Sequence, residues 1–244
     1  MSPYLIEHQS SARYSSFLAS VLRTIFNQIL LTDAKNKHVV ICESLLAPLE
    51  LKRTLASILF YRFIVKSISF VPSPYVALMA TGQTTGLVID CGFKETCVFP
   101  RYSELLSHHQ VPNLGSTCCC RCLFEGNEEG ESLQSCLLRT LLKCPIATRT
   151  DLLQNAFVCG GTFSIPGLED RLKYEVEHLA DESPEFHNVR RLASKMNYIN
   201  SPFQPSQRAW VGGSLVGSVK IKTAFDVSRE EFIEHGTVPD WSMI

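Results

Sequence analysis

The sequence has almost no excess of charge of either sign, because 23 lysines and arginines are balanced by 24 acidic residues. A nucleic-acid-binding surface needs clustered positive charge, so we expect no nucleic-acid partner. Long apolar runs are also missing, which argues against a membrane-spanning helix and predicts no membrane insertion. The N-terminal residues MSPYLIEHQS lack the basic start and apolar run of a secretory signal.

Cysteine, in contrast, is abundant. Ten are present, but their spacing does not suggest a secreted disulfide scaffold. Cys42, Cys91, Cys97 and Cys159 lie within apolar, strand-like runs, where free thiols behave as small apolar side chains. This pattern predicts a protein of the reducing cytoplasm.

Short apolar segments alternate with amphipathic segments of about a dozen residues, which predicts an α/β fold. Helices are predicted at 14–31, 48–63, 75–80, 131–142, 146–153, 166–179, 207–219 and 228–235. Strands are predicted at 38–42, 66–71 and 156–159, with a hairpin formed by 84–90 and 95–99. Residues 101–130 and 180–207 are expected to be loops.

Two glycine-containing turns follow predicted strands. Asp90 lies at the end of one predicted strand, and Gly92 lies in the turn that follows it. An acid followed by a glycine turn can hold a metal-bound phosphate. Most turns of this kind, however, are ordinary hairpin turns. The pair Gly160 and Gly161 follows Cys159, and a double glycine lets a flat ligand approach the backbone. A tight strand-to-helix turn is the simpler interpretation. A third motif, WVGGS at 210–214, favours close packing of a helix against a sheet.

Four segments in this order resemble the actin family. They are HVVICESLLAPLELKRTLASILF, ALMATGQTTGLVIDCGFKET, QNAFVCGGTFSIPGLEDRL and RAWVGGSLVGSV with SREEFIEHG. The resemblance implies an actin-like α/β fold, with ribonuclease-H-like lobes around a nucleotide cleft. Residues 1–80 with 203–244 would form part of the first lobe, and residues 81–202 part of the second, with an atypical junction at 101–130.

The resemblance also implies that the fold is incomplete. The first phosphate loop has no counterpart, and about a hundred residues, comparable to a small domain, are missing near the junction. That gap removes most of the fourth subdomain.

The family's ATP-hydrolysing machinery is only partly matched. Ser73 stands where the family has the glutamine that places the attacking water, and it is too short for that task. Phe93 and Lys94 replace an acid and a glycine of the second phosphate loop, and Ser164 and Ile165 stand where the base packs. We therefore expect no catalytic residues and no enzyme activity. The positions that do match imply a degenerate site for ATP or ADP, formed by Asp90, Gly92, Thr96, Gly160, Gly161 and Thr162.

Within the family, several features resemble the actin-related proteins at the pointed end of dynactin, the activator of dynein. They are CPI at 144–146, TR at 148–149, the acidic stretch CLFEGNEEGES and VPDW at 238–241. The resemblance implies a structural subunit in the cytoplasm and cytoskeleton. Its partners would be the dynactin filament and the pointed-end subunits, and it would support dynein-based transport and cargo attachment.

Three alternatives remain open from the sequence. An ATP-binding protein of the actin fold with weak or no hydrolysis is the first. The second is a metal-binding module formed by Cys118, Cys119, Cys120 and Cys122 with His108, His109, Cys136 and Cys144. Its pairs do not have the short, fixed spacing of structural zinc sites, so no metal is expected. The third is a cysteine hydrolase using Cys159, for which no activating histidine is indicated.

Overall fold

The structure, a computed structural model, describes residues 3–44, 47–92, 96–102, 120–126, 131–219 and 226–239. Contacts divide the chain into two compact units. Unit 1 comprises Met1–Val71 and Val216–Met243, and unit 2 comprises Pro72–Leu215. The two actin-like lobes, with boundaries after residues 80 and 202, remain a prediction.

The described elements confirm a mixed α/β chain. The helices are α1 (Pro3–Thr24), α2 (Leu49–Ser57), α3 (Ser73–Met79), α4 (Cys120–Glu125), α5 (Leu133–Lys143), α6 (Ile146–Gln154), α7 (Leu168–Glu182), α8 (Arg190–Ala193), α9 (Arg208–Val219) and α10 (Arg229–His235). The strands are β1 (His38–Glu43), β2 (Ser67–Pro72), β3 (Gly86–Cys91), β4 (Thr96–Arg101), β5 (Ala156–Cys159) and β6 (Asp226–Ser228). Wider π-helical turns, Ile25–Ile29 and Ile58–Arg62, follow α1 and α2. None of the described helices is long and apolar enough to cross a membrane.

Unit 1 contains a three-stranded sheet with the strand order β1-β2-β6. Strands β2 and β6 are antiparallel, with Ile68 opposite Val227 and Ser69 opposite Asp226. The core contains the aromatic rings of Phe26, Phe60, Phe70 and Phe232, all of them buried. Strand β2 supplies both the centre of the sheet and part of this core, so its pairing with β6 joins the two chain segments of the unit.

Unit 2 contains a second three-stranded sheet with the order β4-β3-β5. The predicted hairpin is confirmed as β3 and β4, which pair antiparallel from Gly86–Arg101 to Cys91–Thr96. Strand β5 lies on the other side of β3 and is parallel to it, with Asp90 opposite Cys159. The buried residues of these strands share one core with apolar residues of α5, α6 and α7.

The first helix is longer than expected. It was predicted to begin at residue 14, but α1 begins at Pro3. The segment 7–13 contains no large apolar residue, so the helical period is visible only from Tyr14 onward. The good helix formers in this segment permit the extension without an apolar stripe.

The predicted loop at 180–207 is also wrong. Helix α7 continues to Glu182, and a 3₁₀ helix, Pro184–Val189, leads directly into α8. Phe186, Val189 and Met196 from this segment are fully buried in the core of unit 2. Polar residues surround these few apolar anchors in the sequence, so the anchors are too widely spaced to give a periodic signal.

Smaller differences occur elsewhere. The expected loop at 101–130 contains α4, although residues 103–119 and 127–130 lie outside the described part of the chain. The short strand β6 was not predicted, because three residues carry no recognisable alternation. Ser228 ends β6 and caps α10 through its hydroxyl, so that helix begins at Arg229 and not at 228.

A buried ion pair connects α2 with β1 in unit 1. Lys52 Nζ lies 2.8 Å from Glu43 Oε1, and the two side chains are only 3% and 6% exposed. The same ammonium donates to the carbonyl oxygen of Pro239 at 3.2 Å. Lys52 therefore connects the helix, the strand and the C-terminal segment of the unit through one charge.

We predict that Lys52→Met lowers the free energy of unfolding by about 3–5 kcal/mol, because it leaves the Glu43 carboxylate buried without its cation. Glu43→Leu combined with Lys52→Met should recover most of that loss. The measurement is urea-induced unfolding. Arg53→Met is the matched control, since the Arg53–Glu50 pair is exposed and is worth less than about 1 kcal/mol. Equal effects of Lys52→Met and Arg53→Met would contradict the prediction.

Candidate functional site

The predicted nucleotide-site residues come from two strand ends in unit 2. Strands β3 and β5 are parallel neighbours, so their carboxyl ends lie side by side, with Asp90 opposite Cys159. The turn after β3 carries Gly92, and the turn after β5 carries Gly160 and Gly161. Clefts at the carboxyl ends of parallel strands are common ligand sites. The parallel pairing thus brings the two predicted loops together.

Gly160 is required by packing within the protein. Its φ is +91°, and a Cβ there would lie 2.7 Å from Asp90 Oδ1 and even closer to the carbonyl of Cys91. Its amide donates to the carbonyl of Pro205 at 3.0 Å. The absence of a side chain at Gly160 therefore allows the turn after β5 to pack directly against β3. This agrees with the simpler interpretation of the double glycine as a tight turn after a strand.

Gly161 differs from its neighbour. A Cβ placed on it would meet no atom within 4 Å, so one side of this residue is open. It begins a short 3₁₀ helix, Gly161–Ser164, whose first amide groups have no acceptor within that helix. Gly161 is exposed, whereas Gly160 is half-buried and its amide is already bonded, so Gly161 offers the more accessible backbone to a ligand.

Two threonines complete the predicted set. The hydroxyl of Thr162 donates to the carbonyl of Gly92 at 3.3 Å and so connects the two turns. Thr96 lies opposite Cys91 in the hairpin and is fully buried. Among the described residues, its hydroxyl has no hydrogen-bond partner other than the weakly polar thiol of Cys91. Phe93 and Lys94, where the family's loop is altered, lie outside the described residues.

The cysteines around Asp90 are buried and poorly suited to nucleophilic chemistry. Burial raises the pKa of Cys91 to about 12 and that of Cys159 well above its ordinary value, with the Asp90 carboxylate adding to both shifts. A thiolate is the reactive form of cysteine, and these environments disfavour it. The arrangement gives no support to a cysteine hydrolase at Cys159.

Arg208, which the sequence analysis did not select, lies at the same end of β5. It is buried, and its guanidinium donates to the carbonyl of Val158 at 2.5 Å and to that of Phe203 at 3.1 Å. The guanidinium also lies 5.0 Å from the centre of the Phe157 ring. Burial lowers its pKa, but an arginine remains charged. A single arginine at the start of a helix of small residues matches no sequence motif, so only the structure shows that Arg208 lies next to the candidate site.

The segment after the 3₁₀ helix departs from the prediction. A helix was expected to begin at Pro166, but α7 begins at Leu168 after Gly167, which has a φ of 79° and cannot continue a helix. Ser164 and Ile165, where the family packs the base, are exposed. The N-terminus of this helix, whose partial positive charge could attract an anion, therefore lies two residues further along the chain than predicted.

Ser73 and the WVGGS motif belong to a packed helix pair. Ser73 is the first residue of α3. A Cβ on Gly212 of α9 would collide with the carbonyl of Val76 in α3, so the glycine permits the two backbones to touch. Close packing was predicted for this motif, but the contact is made against a helix and not a sheet.

The cysteine cluster considered as a metal site is only partly described. Cys118, Cys119, His108 and His109 lie outside the described residues. Cys136 and Cys144 are buried in the core, and burial raises the pKa of each to about 11. No group of three or more candidate ligands occurs among the residues that the structure describes.

Comparison with known proteins gives a consistent result. The family model described as Actin matches residues 15–113 and 108–238. Actin-related protein 10 of Dictyostelium discoideum is 21% identical over 364 aligned positions, which cover 99% of this chain and 76% of that protein. Putative actin-29 of the same organism is 28% identical over 122 residues, which cover 49% of this chain and 30% of that protein.

These matches bear on the predicted junction. The two matched segments meet at residues 108–113, within the stretch 101–130. The longer alignment has more positions than this chain has residues, so stretches of that relative have no counterpart here. The gap near residues 101–130 stays a prediction.

We predict that Gly160→Ala lowers the free energy of unfolding by at least about 3 kcal/mol, because it combines a positive φ with a backbone collision. Gly161→Ala, one residue away, should change it by no more than about 0.5 kcal/mol. Thermal and urea unfolding of both variants provides the measurement. A tolerated Gly160→Ala would mean that the β5 turn does not press on Cys91.

Proposed function

Because the chain belongs to the actin family, we propose that it is a structural subunit of dynactin, capping the pointed end of the complex's actin-like filament. In this role it supports dynein-based microtubule transport and cargo attachment, in the cytoplasm and on the cytoskeleton. The proposal is supported by the alignment with an actin-related protein over nearly the whole chain and by the motifs that resemble pointed-end members. Its partners are the filament and the other pointed-end subunits.

The structural observation that carries the proposal is a group of exposed apolar side chains in the described part of unit 1. Tyr14, Phe17 and Val21 follow one another at helical spacing along α1 and are 47%, 63% and 38% exposed. The opposite side of the same helix and its π-helical turn carries Ala19 and Phe26, which pack into the core. Apolar residues on two opposite sides of a helix are typical of a helix that is buried on both sides.

Three more exposed apolar residues follow at the end of the π-helical turn. Ile29, Leu30 and Leu31 are 68%, 46% and 79% exposed. Leu31 also has a φ of 48°, a conformation that is strained for a branched apolar residue. We call Tyr14, Phe17, Val21, Ile29, Leu30 and Leu31 the α1 apolar face. A group of large apolar side chains that are exposed to solvent is typical of a protein-binding surface, as expected for a subunit that functions inside an assembly.

We predict that Phe17→Ser combined with Ile29→Ser reduces recovery of dynactin filament subunits with the tagged chain by about tenfold or more, since buried aromatic and aliphatic anchors dominate interface energies. The measurement is immunoprecipitation from cytosol followed by quantitative mass spectrometry.

Ile146→Ser is the matched control, because Ile146 is 79% exposed on α6 of unit 2 and lies outside the α1 apolar face. Circular dichroism establishes that the variants are folded. Undiminished recovery of filament subunits with the double variant would count against this face, and failure of the unaltered chain to recover any would count against the whole assignment.

A second candidate function, binding of ATP or ADP with weak or no hydrolysis, is favoured by the meeting of the β3 and β5 turns. Asp90 would hold the metal-bound phosphates, and the open backbone at Gly161 would approach them. Ser73 is too short to place an attacking water, so hydrolysis is not expected.

We predict that any binding of a fluorescent ADP analogue weakens at least about tenfold in Asp90→Asn, because a carboxylate that faces a metal-bound phosphate is lost. Asp151→Asn, an exposed acid of the same unit, should bind like the unaltered chain. Phosphate release at saturating ATP and Mg²⁺ should stay at background. Release above background would contradict the absence of hydrolysis, and equal affinities of the two variants would contradict the assignment of Asp90.

A further inference from the structure

Four polar side chains form a continuous hydrogen-bonded chain across the sheet of unit 1. His38 is on β1, Ser67 and Ser69 are on β2, and Asp226 is on β6. His38 Nδ1 lies 2.7 Å from Ser67 Oγ, and His38 Nε2 lies 2.9 Å from Ser69 Oγ. Ser69 Oγ donates in turn to Asp226 Oδ1. Ser67 and Ser69 point to the same face because side chains alternate along a strand, so one imidazole contacts both.

The direction of every hydrogen bond in this chain follows from the carboxylate at its Asp226 end. A carboxylate only accepts, so Ser69 gives its single proton to Asp226. The Ser69 oxygen must then accept from His38, which assigns the neutral imidazole proton to Nε2. Nδ1 is left with a lone pair, and the remaining donor within reach is the hydroxyl of Ser67. The bonds assign the order Ser67 to His38 to Ser69 to Asp226.

The middle of the chain is its best shielded part, because Asp226 at the carboxylate end is half-buried. Ser69 is fully buried, whereas His38 is exposed and Ser67 is half-buried. Hydrogen bonds in series polarise one another, and burial of the inner part strengthens them. Other serines differ: the hydroxyl of Ser20 donates to the carbonyl of Phe17, a group that cannot take a proton from it.

We propose that Ser67 is a base-activated nucleophile that reacts with esters of small carboxylic acids. Its oxygen forms a bond to the acyl carbon while its proton passes to His38 Nδ1. The resulting imidazolium is stabilised through Ser69 by the negative charge of Asp226. The proton on Nδ1 then passes to the leaving alcohol as the carbon–oxygen bond of the ester breaks. Water releases the acid by the same steps in reverse, with His38 as the base.

This reactivity is separate from the nucleotide residues and from the α1 apolar face. All four side chains belong to unit 1, whereas Asp90 and the glycine turns belong to unit 2. A purely structural hydrogen-bond chain would tie the three strands together equally well but would give Ser67 no reactivity beyond that of other exposed serines. The two possibilities therefore predict different rates of covalent modification of Ser67.

The test is labelling of the full-length chain with an alkyl fluorophosphonate, followed by peptide mass spectrometry. Attack by Ser67 forms an oxygen–phosphorus bond, expels fluoride and leaves the proton on His38. We expect the adduct on Ser67 and not on Ser20, with a labelling rate about a hundredfold lower in His38→Gln, the usual scale of general-base assistance. Ser69→Ala should give a smaller fall, and Ser20→Ala none.

A second measurement covers the ester chemistry. With para-nitrophenyl acetate, we expect a burst of nitrophenol equal to the amount of protein, absent in Ser67→Ala, and a transient acetyl group on Ser67. Rates are compared between samples with matching circular dichroism spectra. No adduct on Ser67 in the folded protein, or equal rates for the unaltered chain and His38→Gln, would overturn the proposal and leave the four residues as a structural link.

Discussion

The parallel pairing of β3 with β5 is the contact on which the organisation of unit 2 depends. It joins strands whose facing residues Asp90 and Cys159 are nearly seventy positions apart in the printed sequence, and it holds only because Gly160 has no side chain. The two turns meet, Thr162 bonds to Gly92, and Arg208 braces the far side of β5 through the carbonyl of Val158. Tight backbone packing and the geometry of the candidate site are consequences of the same pairing.

Much of this could be predicted from the sequence because the relevant signals are local. The hairpin, β5 and the helix beginning after Pro145 follow from apolar runs and from glycine or proline at their ends. The buried anchors Phe186 and Met196 and the strand β6 could not be predicted, since their structure is imposed by distant packing. The candidate nucleotide residues could be selected from turn chemistry and family resemblance, but the different roles of Gly160 and Gly161 depend on Cys91, which only the folded chain brings near.

The residues of the candidate sites that sequence analysis did not select have a feature in common. Arg208, His38 and Ser69 belong to no motif, and each acquires its role from partners on other strands or helices. Asp226 is separated from Ser69 by more than half the chain, yet the register of β2 and β6 places them directly opposite one another. Such constellations depend on strand register, which periodicity within one segment does not specify.

The discontinuity of unit 1 has a consequence for biosynthesis. Strand β2 is complete early in translation, but its neighbour β6 leaves the ribosome only after all of unit 2 has been made. Until then one edge of β2 is without its native partner, in a nascent chain whose first helix also displays apolar side chains. Unpaired edges and exposed apolar surface are the features that chaperones bind. Unit 2, whose residues are contiguous in the sequence, can fold first, and the sheet of unit 1 is completed once β6 has been synthesised.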